Sequence, residues 1–473
     1  MTKKTSAGGR SRLAVAAATL VLLAVLPALP RGPFAGAGQA WAAEAGRIDL
    51  VATYEQALQH DPRMRAADEA LAAGREKAEQ GRALLRPQVG LAASLSRLDE
   101  RTRSSVPAAL AGLLPDERSG QTHQVALQLT QPLYNAKSRA ERDQLIQQSG
   151  LAEVQHRQAA QDLIKRVGEA YLAVLLAEET LRVVQAEKAA VQLQRDRAQA
   201  RFEVGRGRIT EVQEAQARYD SVLAREISAG STLVQRRAQY AELTGLAGEG
   251  LRPLAPAFDA APPAPDSLEA WQQKGLAGNT RVQLKQGELA IAEAETSKWK
   301  LAARPTLDLV ASLADRGQHA GLSGSLAGDG SRSASIGLQF NLPLYAGGGI
   351  DSRERESLAR RRQAEQELAS AQRDTRLEVQ DTFLAVKTGV SRIGALAQQV
   401  RSAETALAAT TLGRDVGNRT ELDVLDAQQR LFAAQLELAQ ARTDYLLGRL
   451  RLAAAAGELE AGTLRDLNGY LAP

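Results

Sequence analysis

Cysteine is absent from this chain of 473 residues, and aromatic residues make up only 4% of it. A disulfide framework, a thiolate nucleophile and a lipid-modified cysteine are therefore excluded. The sequence also lacks a Walker loop, an H-E-x-x-H zinc motif and a G-x-S-x-G nucleophile motif. Its few histidines are scattered without the spacing of metal ligands: His60, His123, His156 and His319. We therefore expect neither an enzyme nor a bound metal or cofactor.

Long apolar runs are missing as well, apart from one at the N-terminus. Residues 13–29 are mostly apolar, follow four basic residues and precede a small-residue segment that contains Ala40-Trp41-Ala42. This order predicts a secretory signal peptide over residues 1–42. A membrane anchor would have a similar apolar core, but Pro27 and Pro30 interrupt this one and it is short for a span.

Neither sign of charge dominates once the predicted leader is set aside. Five of the 59 basic residues and none of the 55 acidic ones lie in the first 42 positions, which leaves a net charge of −1. The sequence pI of about 9.3 thus reflects the leader and gives no support to nucleic-acid binding. No later run approaches the ~18 apolar residues of a transmembrane helix, so we expect none after the leader.

The sequence repeats itself with a period of about 212 residues. Such a period is the length of a domain and is too long for a solenoid repeat. We predict two structural repeats, at 43–251 and 267–473, joined by a Pro-rich connector at 252–266. The matching segments include ALLRPQVGLAASLS with AARPTLDLVASLA (83–96 and 302–314) and VGRGRITEVQEAQAR with VGNRTELDVLDAQQR (204–218 and 416–430).

Each repeat has the same predicted order of helix, two extended stretches and long helical hairpin. An Arg-Pro pair ends the first helix, because proline disfavours helix in the residue before it. The stretches alternate apolar and polar residues, which is typical of membrane β-strands, although a half-buried soluble hairpin alternates too. The predicted first helices cover Leu50–Leu85 and Leu268–Ala303, and the hairpins cover Ser138–Glu203 with Thr210–Leu243 and Ser352–Asp415 with Thr420–Ala456.

Four strands per chain cannot close on themselves, yet a sheet in lipid must satisfy all its backbone groups. A dimer would supply eight strands, which enclose an interior filled by side chains, whereas a trimer would supply twelve and leave room for water. We therefore predict a mainly α fold with a small β part. Its duplicated unit would form a trimeric 12-strand outer-membrane β-barrel, continued by a 12-helix periplasmic α-barrel.

The order of elements and the motif VGNRTELDVLDA at 416–427 resemble the TolC family of outer-membrane efflux and secretion proteins, over essentially the whole mature chain. The absence of cysteine fits the TolC branch rather than the lipid-anchored branch. The resemblance implies a homotrimeric duct in outer-membrane lipid that docks, through a periplasmic adaptor, onto an inner-membrane transporter. An ABC transporter in type I protein secretion is slightly favoured over a multidrug pump. A soluble periplasmic coiled-coil scaffold is the alternative from another class.

Two turns between long helices carry the candidate site residues. Gly205 and Gly417 tolerate the left-handed backbone of a tight turn, and they stand where the family contacts its adaptor. Thr210 and Thr420 are candidate caps of the returning helices. Repeated joints between strand and helix carry the sequence P-L-Y, with the residues Pro132, Tyr134, Pro343 and Tyr345.

Asp423 and Asp426 stand three residues apart, on one face of the returning helix. A solvated outer face explains this spacing as well as a pore does. The resemblance implies that the pair lines a constriction of six carboxylates in the trimer. It also implies a tip latch in which Arg419 contacts Thr210 or Glu211. Arg414 replaces a tyrosine of the family latch and could pair with Glu211 or repel Arg419.

Overall fold

A computed structural model describes residues 47–101, 117–319 and 330–472, so the predicted signal peptide lies outside the described residues. Within these ranges the chain forms nine helices and four strands. In chain order they are α1 (Leu50–His60), α2 (Pro62–Ala83), β1 (Gln88–Arg101), β2 (Glu117–Asn135), α3 (Ala136–Glu203), α4 (Ile209–Thr244), α5 (Leu268–Gly278), α6 (Thr280–Lys300), β3 (Thr306–His319), β4 (Gly330–Asn341), α7 (Gly349–Asp415), α8 (Glu421–Ala456) and α9 (Ala461–Asn468).

The same order of elements occurs twice: two short helices, two strands, one long helix and a returning helix. The four strands form one antiparallel sheet in the order β1-β2-β3-β4. The predicted mainly α fold with a small β part, built from a duplicated unit, is confirmed. The short helix α9 lies at the end of the second predicted repeat and was not predicted.

The predicted first helix of each repeat is in fact two helices. Asp61 has an extended backbone (φ −68°, ψ 116°) and accepts a hydrogen bond from the N–H of Arg63, so it ends α1 and caps α2. Asn279 does the same between α5 and α6, where its side chain accepts from the N–H groups of Arg281 and Val282. The prediction of one continuous helix was wrong because it overlooked Asp and Asn as capping residues.

The sheet is amphipathic, as the alternation in the sequence predicts. Leu91 of β1 faces Leu127 of β2, which faces Leu313 of β3, and all three side chains are exposed. The opposite face is polar, with the hydroxyls of Ser312 and Ser335 2.9 Å apart. A half-buried soluble hairpin would have its apolar face covered, whereas the described chain leaves Leu91 71% exposed.

The two P-L-Y joints adopt different structures despite their shared sequence. In the first repeat, β2 continues through Pro132 and Tyr134 with a local shift of register, and Asn135 then caps α3. In the second repeat, β4 has already ended when the chain reaches Pro343, and Tyr345 is 88% exposed. Glycines 347–349 follow it and lead into α7, the first two with φ of +61° and +76°.

The main hydrophobic core surrounds the middle of the long helices and is closed by the connector and by residues near Ile48 and Leu471. Tyr171 of α3 is fully buried, and its hydroxyl lies 3.0 Å from the carbonyl oxygens of Ile48 and Arg252. Burial raises the pKa of Tyr171, so the hydroxyl remains a donor at physiological pH. Tyr445 of α8 similarly donates to the carbonyl of Ala261 at 2.7 Å.

Gly457 ends α8 with a left-handed backbone (φ 76°) against the break between α5 and α6. A Cβ at this position would overlap the carbonyl group of Gly278 and lie 2.6 Å from the backbone nitrogen of Asn279. The Asn279 side chain donates to the carbonyl of Ala455 at 3.0 Å. This hydrogen bond holds the end of α8 close to the break between α5 and α6.

We expect Gly457→Ala to destabilise the folded chain by about 2–4 kcal/mol, because left-handed strain and a backbone clash add together. Gly417→Ala is the matched control, since Gly417 has a φ of +82° but open space around it, and should cost only about 1 kcal/mol. The stability losses of both variants are measured by thermal unfolding in detergent, monitored by the circular dichroism signal of the helices. Equal losses in the two variants would contradict the close approach.

Candidate functional site

The two turns between long helices are closed by glycine. Gly205 and Gly417 have φ of +73° and +82°, and their N–H groups donate at 2.9 Å to the carbonyls of Phe202 and Arg414 respectively. Apart from the adjacent residues, no described atom lies within 4 Å of the space that a Cβ would occupy at either glycine. Glycine is therefore favoured at both positions by the left-handed backbone and not by a lack of space, as the sequence predicts.

Thr420 caps α8 as predicted, together with Asp423. The N–H of Asp423 donates to the Thr420 hydroxyl at 3.2 Å, and the N–H of Thr420 donates to the Asp423 carboxylate at 2.8 Å. This backbone hydrogen bond, helped by the Thr420 hydroxyl and the nearby Arg419, lowers the pKa of Asp423. Asp423 is therefore ionised at neutral pH and already holds the start of the helix.

Thr210 does not cap α4, so that prediction was wrong. The capping position is occupied by Arg208, whose side chain makes no capping hydrogen bond, and Thr210 lies inside the first turn. The alignment of the two repeats gives the reason, because Arg208, and not Thr210, aligns with the capping residue Thr420. Glu211 aligns with Asp423.

Asp426 lies one turn beyond Asp423 and is bound to the other hairpin. Arg218 of α4 donates to its carboxylate at 2.9 Å, and the Asp426 side chain remains 43% exposed. The Asp423 side chain is 40% exposed. Both predicted constriction residues are thus accessible to solvent in the single chain, but each already has a partner.

A group of polar side chains at the turn, which we call the tip cluster, consists of the buried Arg414, Glu421 and Gln194 and the half-exposed Arg201. The guanidinium of Arg414 lies 3.4 Å from both the Glu421 carboxylate and the Gln194 carbonyl, and Arg201 lies 4.0 Å from Glu421. Only 10% of the Arg414 side chain and 6% of the Glu421 side chain are exposed. The buried ion pair of Arg414 with Glu421 therefore joins α7 to α8, and the hydrogen bond from Arg414 to Gln194 joins them to α3.

Arg414 also donates to the neighbouring Asp415 at 2.6 Å. That hydrogen bond and, to a smaller extent, the charge of Glu421 raise the pKa of Arg414 despite its burial. The Asp415 side chain is 58% exposed, so water can replace this bond, whereas nothing comparable can replace the buried Glu421. Within the chain, Arg414 thus pairs with Glu421 and Asp415 and not with Glu211.

The predicted latch partners are not brought together within one chain. Arg419 is 60% exposed and lies 4.0 Å from Asp423 on its own helix. In the described parts of the chain, Glu211 has no ion-pair partner within 4 Å. A contact between Arg419 and Thr210 or Glu211 therefore stays a prediction about neighbouring copies.

Sequence reasoning overlooked Glu421, Gln194, Arg201 and Arg218. Glu421 directly follows the cap residue and looks like an ordinary acid in a first helical turn. Its partner Arg414 lies on the other side of the turn, so no helical spacing links the two. A glutamine in an Ala- and Gln-rich helix gives equally little sign that it is buried.

Exposed apolar side chains surround both turns. They are Phe202, Val204, Ile209, Leu412, Val416 and Leu422, with exposures from 40% to 69%. Among the described residues, no group of three or more His, Asp or Glu side chains is placed to hold a metal ion. No helix in the described ranges has both the length and the apolar character needed to cross a membrane.

Comparison with known proteins places these features in a family. The family model for outer membrane efflux proteins matches residues 53–246 and 272–458. The outer membrane protein TolC of Vibrio cholerae is 32% identical over 430 residues, which cover 89% of this chain and 94% of that protein. The alkaline protease secretion protein AprF of Pseudomonas aeruginosa is 30% identical, with 89% and 87% covered. The crystal structure of the outer membrane protein VceC from Vibrio cholerae matches with a TM-score of 0.72 at 21% identity, over 86% of this chain and 96% of that one.

The chain belongs to the outer membrane efflux protein family and is an outer-membrane exit duct of the TolC type. The resemblance seen in the sequence is thereby confirmed. The family and the fold are those of channel proteins, which favours a duct over the soluble periplasmic scaffold.

We expect Glu421→Gln to weaken the tip cluster by about 1–3 kcal/mol, because Arg414 then loses its buried charged partner and keeps only the exposed Asp415. The effect should appear as faster amide hydrogen exchange in the first turns of α8 and the last turn of α7. Asp415→Asn is the matched control and should change exchange by no more than about 0.5 kcal/mol, since its partner bond is exposed. The opposite ranking of the two variants would show that the buried pair does not hold the hairpins together.

Proposed function

We propose that three copies of this chain form the outer-membrane exit duct of a protein-export machine. A periplasmic adaptor and an inner-membrane ABC transporter would complete the machine. The edges of the sheet, which are unpaired within the described residues, carry the assembly part of this proposal, and the similarity to AprF, an alkaline protease secretion protein, supports a protein cargo. Residues 1–42 would direct export, and the repeats at 43–251 and 267–473, joined by 252–266, would each supply one sixth of the wall.

The sheet has an open edge on each side. In the described chain β1 pairs only with β2, and β4 pairs only with β3. An edge strand in lipid must find partners for its backbone groups. Because β1 and β4 run in opposite directions, β4 of one copy can pair with β1 of the next in the same antiparallel pattern. Three copies then give twelve strands with the apolar face outward.

The helices support the same arrangement. Helix α3 contacts both α4 and α8, and α8 contacts α7, so α4 and α7 lie at the two sides of the packed helices. Each side presents exposed apolar residues at a spacing of seven, which is the repeat of a coiled-coil seam: Ile227 and Val234 on α4, and Leu377 and Leu384 on α7. Packing α4 of one copy on α7 of the next would cover both.

We expect engineered disulfides to distinguish contacts between copies from contacts within one chain, since the chain has no cysteine of its own. Leu91→Cys on β1 combined with Ile336→Cys or Leu338→Cys on β4 should give a ladder that ends at three chains. The pair Leu127→Cys and Leu313→Cys is the control and should join within one chain, because these residues face each other across β2 and β3. A detergent-solubilised monomer that keeps its sheet, shown by mass measurement, would refute the trimer.

The exposed apolar side chains at both turns support docking of the adaptor there. Gly205 and Gly417 shape these turns, and Val204 and Val416 beside them are 69% and 64% exposed. Isolated exposed apolar residues are common, but a group at both hairpin ends is the usual form of a protein-binding surface.

We further propose that Asp423 and Asp426 line the constriction. Their exposure in the single chain supports this, as does the direction of the pKa shift of Asp423, which keeps that carboxylate charged. Arg218 offsets part of the charge of Asp426, so the ring would be less negative than six free carboxylates. Arg419 would add the latch contact with Thr210 or Glu211 of a neighbouring hairpin.

We expect the double variant Asp423→Asn and Asp426→Asn to resist block by a trivalent hexammine cation added from the periplasmic side. The blocking concentration should rise about tenfold or more, because the negative ring concentrates cations. Asparagine is preferred to alanine since its carbonyl can still accept the hydrogen bond from the Thr420 backbone. Arg218→Gln should act in the opposite direction by freeing the charge of Asp426. Planar-bilayer currents measure all three proteins, and equal block throughout would place the aspartates on a solvated outer face.

A further inference from the structure

Three cations surround the ring of Trp299 where the strands meet the helices. Trp299 lies in the last turn of α6, shortly before β3 begins. The ammonium groups of Lys137 and Lys298 lie 5.0 and 5.6 Å from the ring centroid, and the guanidinium carbon of Arg353 lies 4.7 Å from it. We call these four residues the Trp299 cluster. Its members come from α3, α6 and α7, so it joins the two repeats.

The acidic side chains near this cluster already have ion-pair or hydrogen-bond partners. Lys298 lies 2.6 Å from Glu295, and the indole N–H of Trp299 donates to the same carboxylate at 2.6 Å. Burial opposes ionisation of Glu295, but the hydrogen bonds from Lys298, Trp299 and Gln144 together lower its pKa. The adjacent Glu356 pairs with Arg360 at 2.6 Å.

Two cations of the cluster therefore have no acidic partner. Within the described ranges, neither Lys137 nor Arg353 has a carboxylate within 4 Å. Their contact with the indole ring stabilises the positive charges without neutralising them. A cavity of about 150 Å³ opens beside the ring and is lined by Trp299, Arg353 and Arg360, and also by Ser357 and the two paired acids Glu295 and Glu356. The cluster is thus complementary to an anion.

Apolar and aromatic side chains flank the cluster on its strand side. Leu133 and Tyr134 precede Lys137 in the chain, and Leu344 and Tyr345 precede Arg353, with exposures from 40% to 89%. Tyrosines with this exposure are typical of the boundary between lipid and water. Helices α3 and α7 both begin here, and their N-terminal N–H groups add partial positive charge.

We propose that the Trp299 cluster binds the phosphate of an anionic phospholipid, with the acyl chains against Leu133 and Leu344. This rests on the proposed placement of the strands in the outer membrane. The apolar residues favour a lipid over free phosphate, since free phosphate has nothing to bury there. The two unpaired cations favour a headgroup of net negative charge over a zwitterionic one, whose ammonium group they would repel.

The test is native mass spectrometry of the protein in neutral detergent, titrated with phosphatidylglycerol or with phosphatidylcholine of the same acyl chains. The wild type should retain phosphatidylglycerol more tightly, at up to one molecule per chain. The double variant Lys137→Gln and Arg353→Gln should weaken this binding about tenfold or more. Lys274→Gln is the matched control, because Lys274 also lies over a tryptophan, 4.7 Å from Trp271, but is already paired with Glu458 at 2.9 Å.

Equal retention of the two lipids by the wild type would overturn the proposal, and so would unchanged binding in the double variant. Displacement of the lipid by millimolar inorganic phosphate at constant ionic strength would also overturn it in favour of a free phosphate site. Should the double variant not assemble, the single variants Lys137→Gln and Arg353→Gln each retain one unpaired cation and should bind about fivefold more weakly. Trimer mass and bilayer conductance are recorded for every variant, so a failure of lipid binding is distinct from a failure of the duct itself.

Discussion

Each outer strand of the sheet, β1 and β4, has a row of backbone N–H and C=O groups with no partner among the described residues of its own chain. In water such an edge can be solvated, but in lipid each unpaired group is costly. An amphipathic sheet of four long strands, apolar on one face and polar on the other, therefore has a stable place only when further strands complete it. Three other features are consistent with this need for further strands. They are the duplication, the P-L-Y joint in each repeat, and the apolar sides of α4 and α7.

The long helices connect this sheet to the turns that carry the candidate site. Helix α3 spans 68 residues and packs on α2 and α6 near the sheet, and on α4 and α8 farther along. The buried hydroxyls of Tyr171 and Tyr445 hold Ile48 and the connector residue Ala261 against the middle of these helices. Near the turns charged contacts accompany apolar ones, because the tip cluster and the pair of Arg218 with Asp426 occur beside the buried Val212, Ala215 and Leu425. Since the pair of Arg414 with Glu421 is buried, salt should weaken it less than it weakens exposed pairs.

Period-two alternation predicted the four strands, because each strand has one apolar and one polar face. The helical hairpins followed from long stretches without proline, and the turns followed from Gly205 and Gly417. The breaks at Asp61 and Asn279 were missed, since a single capping residue leaves little trace in a periodic pattern. The tip cluster could not be read from the sequence, because Arg414 and Glu421 lie on opposite sides of a turn and Gln194 is 220 residues from Arg414. Both repeats contain P-L-Y, and this match gave no sign that the backbone conformations at the two joints differ.

That difference between the joints has a mechanical consequence. At the first joint β2 leads directly into α3 through a capped helix start, so a twist applied to the α3–α4 hairpin is transmitted to the sheet. At the second joint Gly347, Gly348 and Gly349 have open space where a Cβ would be, so few contacts limit the backbone there. One protomer thus has a direct connection and a glycine connection between its sheet and its long helices. We expect a rotation of α7 relative to the sheet to meet less resistance at its joint than a rotation of α3 meets at the first.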